Sequence, residues 1–180
     1  IAVKALPSQQ LLERKVALRR SSFPDTPDLA SFCKAPAIVA ALEKLARLPD
    51  FILCDGRGIT GPDSFGLASH VGLITNLPTI GICAPKPRQL SEVLGQTRGA
   101  WLPLQDNVQH AALVRVVDGL DPLVVSPAHR MGLEAAIQHT LQAIPASTTA
   151  REYLQLLYPE AGIRPPAPVR LQVVGGRQRH

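Results

Sequence analysis

Residues 49–86 read PDFILCDGRGITGPDSFGLASHVGLITNLPTIGICAPK, and this stretch decides the architecture. Four apolar residues, Phe51, Ile52, Leu53 and Cys54, run straight into Asp55, and the chain then breaks at Gly56 and Gly58. A short apolar run closed by turn residues reads as a fully buried strand. Asp55 therefore stands at the exposed end of that strand, where α/β folds hold a metal ion or a reacting group. The small-residue pattern FGLASHVGLI predicts a helix over 65–75, and Thr79 to Cys83 a second short strand.

Outward from this centre, Ile1–Leu6 and Leu11–Leu18 alternate loosely about Pro7-Ser8-Gln9-Gln10 and predict a hairpin with one buried face. Residues 23–28 form a loop, because two prolines fix φ and remove donors. Ala35 to Arg47 reads as an amphipathic helix with Pro36 in its first turn. Prolines and glycines break every pattern from Ala84 to Pro103. Ala111–Val117 and Leu123–Val125 read as strands, and 131–144 and 148–157 as helices. A hairpin followed by alternating helices and strands implies a mixed α/β sheet in one domain, residues 1–158. Residues 159–180 form a basic tail rich in proline and glycine, expected to be flexible.

The chain has 180 residues, 46% of them hydrophobic, enough for a sizeable core. Nineteen Lys and Arg against fourteen Asp and Glu give +5, which permits polyanion binding without demanding it. One Trp, two Tyr and four Phe argue against a base-stacking platform built from several exposed rings. Cys33, Cys54 and Cys83 form no CxxC and read as free thiols in a reducing cytoplasm. No apolar run approaches a membrane span.

Asp55 reads as a catalytic carboxylate, or as a turn aspartate, since Asp-Gly is a common turn pair. His129, in SPAHR, follows a strand and precedes a helix, so it could act as a base or hold a water near a metal. It could equally satisfy backbone groups at a helix start. His70 reads as a packed helix residue, and Arg130 as a solvated arginine that could hold a phosphate. Ser69 and Ser126 sit in no GxSxG elbow, and the glycines match neither GxGxxG nor GxxxxGK[ST].

Taken in order, FPDTPDLASFCK, DGRGIT, FGLASHVGL, LPTIGI and VSPAHR resemble the endonuclease V family, whose pattern is FPYxPGxLSFRE, DGxG, FGLAxHxG, PTIGVAK and SPGHR. The resemblance covers about Ile1 to Ala143. It implies a ribonuclease H-like fold, a mixed central sheet flanked by helices. It also implies hydrolysis of a phosphodiester near a deaminated purine, inosine or hypoxanthine, in DNA or RNA, as in DNA repair. The cofactor would be Mg²⁺ or Mn²⁺ held by clustered carboxylates. Asp55 matches the metal-binding aspartate and His129 the catalytic histidine. Gly56, Gly58, Gly66 and the run Pro78, Thr79, Ile80, Gly81 match positions that shape the base pocket.

The departures fall on functional positions. Lys34 stands where the family has the glutamate of LSFRE, and Asp25 where it has the wedge tyrosine. Gly61-Pro62-Asp63 replaces HPR. The lysine of GVAK aligns with Ala84, with Lys86 two residues on. The family's first catalytic aspartate belongs on a strand upstream of Ile1. An ammonium a few ångströms from a dication would repel it by several kcal/mol at an effective dielectric of about 20. Cleavage is therefore expected to be weak or lost, with metal binding at Asp55 weak or absent and weak binding to inosine-containing nucleic acid retained. The alternatives are an active enzyme using Asp25, Asp28 or Asp63 with an upstream aspartate, and a non-catalytic structural subunit. Oligomeric state stays open.

Overall fold

The computed structural model describes residues 1–24, 26, 29–58, 65–86, 89, 94–104, 111–149, 152–153 and 172–174. The chain opens with β1 (Ala2–Lys4), β2 (Leu11–Arg14) and α1 (Ala30–Leu42), and then enters the central strand β3 (Phe51–Asp55). After it come α2 (Leu67–Thr75), β4 (Thr79–Cys83), β5 (Trp101–Pro103), β6 (Ala112–Val114), β7 (Leu123–Pro127), α3 (Leu133–Ala143) and β8 (Gln172–Val174). These eight strands form one sheet in the order β2-β1-β8-β3-β4-β7-β6-β5. Pairing is mixed: β3 runs parallel to β4, and β7 antiparallel to β4.

Strand β3 is buried on both faces because its side chains alternate between two cores. Phe51 and Leu53 pack with Ile80, Val125 and Ile137 beneath α3, while Ile52 and Cys54 pack with Ile38 and Val71 beneath α1 and α2. Helices thus cover both faces, the architecture expected from the sequence. Fully burying a side chain such as Ile52, Leu53 or Ile80 contributes about 1.5–3 kcal/mol.

Several boundaries differ from the sequence reading: β2 ends at Arg14 rather than Leu18, α1 at Leu42 rather than Arg47, and β5 forms in a stretch that showed no pattern. Helix α1 begins at Ala30, five residues earlier than expected, and Pro36 lies inside it. Its buried positions, Ser31, Ala35, Ile38 and Leu42, follow helical spacing, so packing of that face outweighs the proline. Strand β6 ends at Val114, short of the expected Val117; Arg115 still exchanges backbone bonds with Gly99 and Ala100, and its buried side chain donates to the carbonyls of Gly95 and Leu120. Within the expected flexible tail, Gln172–Val174 form β8, parallel to β1 and antiparallel to β3. Those three residues are ordered by the ladder groups of two neighbouring strands, which the composition of the tail does not reveal. Of the expected helix 148–157, Glu152 and Tyr153 are helical, and Tyr153 is buried in the core under α3. The remainder lies outside the described residues, apart from residues 148–149.

Candidate functional site

Asp55 closes β3 opposite Ile82, and the chain after it folds back over the sheet. The Gly56 N–H donates to the Ile82 carbonyl (2.9 Å), and the Gly58 N–H to Ser126 Oγ (2.8 Å). Ser126 Oγ in turn donates to the Gly81 carbonyl (3.3 Å). This crossing requires a bare backbone below it: a Cβ on Gly81 would lie 2.4 Å from the Gly58 nitrogen and 2.5 Å from the Gly56 oxygen. The start of α2 closes on the same loop, with Gly66 N–H donating to the Gly58 carbonyl (3.1 Å) and Ala68 N–H to that of Arg57 (3.0 Å). A Cβ on Gly66 would meet the Arg57 carbonyl oxygen at 2.1 Å.

The Asp55 carboxyl is partly buried, and burial pushes its pKa up while the Lys34 ammonium, reaching over from α1, draws it back down. No ion pair within 4.0 Å joins Asp55 and Lys34, so the charge acts across a gap. One residue past Ile82, the Cys83 thiol is pushed up by burial, against the Arg57 guanidinium beside it, which draws it down. Asp55 and Lys86 act on the same thiol through their charges. Among the described residues, one carboxylate and three cations, Lys34, Arg57 and Lys86, therefore share this end of the sheet.

A hard dication needs several oxygen ligands. Among the described residues no three His, Cys, Asp or Glu converge on one point, and the charge that acts on the Asp55 carboxyl is the Lys34 ammonium. The described residues do not by themselves make a site for Mg²⁺ or Mn²⁺. Asp25, Asp28 and Asp63, the alternative carboxylates, lie outside the described residues.

His129 is placed at the other end of β4. Its N–H donates to Thr79 Oγ1 (3.0 Å), its carbonyl accepts from Thr79 N–H (2.9 Å), and Nε2 bonds Asn76 Oδ1 (3.1 Å). Thr79 and Ile82 are three residues apart on one strand, about 10 Å, so the strand register keeps His129 and Asp55 apart. Gly72 of α2 admits this contact, because a Cβ there would lie 2.3 Å from that of His129. Arg130, in the left-handed region at φ 50°, reaches Asn76, which caps α2 at φ 56°.

Of the other residues singled out in the sequence, Pro78 accepts the Ile52 N–H (2.8 Å), and Thr79 and Ile80 are fully buried. Lys86 donates its N–H to Gln89 Oε1 (2.7 Å). His70 packs its ring against Phe32 and Phe65, as a packed helix residue should. Three residues have roles at this site that sequence reasoning misses: Arg57, Cys83, and Ser126 as the pin of the loop. Arg57 carries the clearest signal, a cation inside the glycine turn that follows Asp55.

The family model for endonuclease V matches residues 1–151. Endonuclease V of Trichormus variabilis is 40% identical over 146 residues, covering 81% of this chain and 66% of the relative. The chain thus spans about two thirds of the length of the curated relatives it matches. Among solved structures, endonuclease V of Streptomyces avermitilis superposes with a TM-score of 0.69 at 34% identity, over 83% of this chain and 68% of the other. Endonuclease V of Ciona intestinalis, in complex with a DNA containing an inosine followed by a ribo-adenosine, shares the fold, with a TM-score of 0.58 at 20% identity over 76% and 66% of the two chains. The ordered motifs, the mixed sheet between two helical layers and these matches agree: the chain belongs to the endonuclease V family.

Proposed function

We propose that this domain binds nucleic acid at the Asp55 end of its sheet, and that metal-dependent cleavage of the phosphodiester next to a deaminated purine is weak or lost in it. The observation that carries this reading is the excess of cations at this end of the sheet: Lys34 acts on Asp55, and Arg57 and Lys86 act on the neighbouring Cys83 thiol. Cations so placed neutralise phosphate oxygens without a metal, and Asp55 alone is a poor ligand for one. The inosine-containing DNA held by the Ciona relative supports a deaminated purine as the base, and the loop Gly56–Gly58 over Gly81 offers backbone for its pocket. His129 serves in this reading by holding Thr79 and Asn76, not by touching the phosphate.

Binding of a single-stranded inosine oligonucleotide, followed by anisotropy, should weaken with salt at a log–log slope of about −2, as three phosphate contacts require. Salt-independent binding, or none, defeats the binding half. Incubation with Mn²⁺ should leave the strand intact, whereas nicking that disappears in Asp55→Asn defeats the loss of cleavage. Lys34→Glu should raise Mn²⁺ affinity, measured by calorimetry, by about tenfold or more, since a repelling charge becomes a ligand.

A further inference from the structure

Four Phe in the whole chain argue against a stacking surface, yet the fold gathers three of them on one side of the molecule, where α1 meets α2. Phe23, Phe32 and Phe65 are 48%, 43% and 49% exposed, far above what core rings show. Phe32 holds the middle, 5.6 Å from Phe23 and edge-on to His70 at 4.7 Å, and Phe65 lies 5.9 Å from His70 on the far side. Beside them runs an open groove of about 390 Å³, floored by Ala35, Pro36 and Val39, with Arg19 among its lining residues and Glu43 one further turn along α1. That volume falls within the range of small-molecule sites.

We propose that this cluster is a stacking seat for an unpaired nucleobase flanking the strand held at Asp55. The proposal rests on the nucleic-acid reading above and adds a second subsite to it. Two observations select a nucleobase over another occupant. The first is continuity: Phe65 precedes Gly66, whose N–H is bonded to the Gly58 carbonyl, so the ring borders the loop that leaves Asp55. A strand with a phosphate among Lys34, Arg57 and Lys86 has its neighbouring base close to that ring. The second is charge: Arg19 adds a cation beside the rings, which suits a polyanion that also offers flat apolar faces. Stacking needs only a π-face and no edge contacts, so the seat accepts any base, on a ribose or deoxyribose backbone alike.

The test uses 2-aminopurine placed at successive positions beside the inosine in single-stranded deoxy and ribo oligonucleotides. With the wild-type chain, one flanking position should show strong fluorescence quenching on binding, in both backbones. Phe65→Leu and Phe32→Leu keep apolar bulk and should abolish that quenching and weaken binding by about tenfold. An oligonucleotide abasic at that position should bind equally to wild type and variants, because only phosphate contacts remain. If oligonucleotides bind with the expected salt slope but quenching and affinity are the same in the Leu variants, the stacking seat is overturned and the phosphate reading stands. If no oligonucleotide binds, both fall together. Self-association in sedimentation velocity that Phe32→Leu abolishes would also overturn the proposal, giving the groove to a second copy of the chain.

Discussion

The two ends of the β3–β4 pair are built on different principles. At the Thr79 end the chain is tied by neutral hydrogen bonds: Thr79 exchanges backbone bonds with Ala128 and His129, and its hydroxyl accepts the His129 N–H. The side chains there are closely packed, down to a glycine in α2 that makes room for His129. At the Asp55 end the backbone is equally constrained, but the side chains are not paired. Asp55 and Lys34 influence each other without an ion pair, and Arg57 acts on the Cys83 thiol through its charge. One end stores stability, whereas the other leaves charges available for a ligand. The difference teaches that two ends of one strand pair can share a rigid backbone while their side chains are set for different work.

The sharpest way to break this contrast is at Gly81, on which the backbone frame of the Asp55 end rests. Gly81→Ala should destabilise the domain by about 3 kcal/mol or more in denaturant unfolding, because its new methyl meets backbone atoms that cannot rotate away. A loss below about 1 kcal/mol would mean that the loop yields and is no rigid frame. Next, Thr79→Val should cost about 1–3 kcal/mol, since it strips the acceptor from the His129 N–H while preserving shape. An unchanged midpoint would remove the claim that this end is held by its hydrogen bonds.

The smallest effect is expected at Asp55, and it has the opposite sign. Burial raises the folded carboxyl above its unfolded value. Below the ordinary aspartate pKa both states are protonated and no penalty exists. As pH rises the unfolded chain ionises first, so stability is lost until the folded carboxyl ionises too, and the loss is constant above that point. Asp55→Asn should therefore match the wild type in acid and exceed it at neutral pH, by about 1 kcal/mol or less. A variant that is less stable at neutral pH would show the carboxylate to be a structural partner after all.

Much of the fold is legible in sequence. The apolar run ending at Asp55, the glycines after it and the helix–strand succession to Cys83 place β3, α2 and β4 within two residues, because hydrophobic period and turn chemistry are local signals. Sequence alone starts helix α1 five residues late because Pro36 speaks for a first turn, and only the packing of Ser31 and Ala35 overrules it. Strand β8 is invisible, since three residues in a proline- and glycine-rich tail gain strand structure only from β1 and β3. At the site, the motif order exposes Asp55 and the substitution by Lys34, but not the company of Arg57 and Cys83.

By itself the sequence determined which residues could carry chemistry and which family frame holds them, since motif order and strand periodicity are written along the chain. Only the tertiary structure decided which of them meet. His129 and Asp55 both follow strands, yet β4 and β7 run antiparallel, so the two stand at opposite ends. Four scattered Phe look too few to matter, yet α1 and α2 bring three of them together. Proximity between residues distant in sequence is set by strand direction and helix packing, and neither is a property of any local stretch.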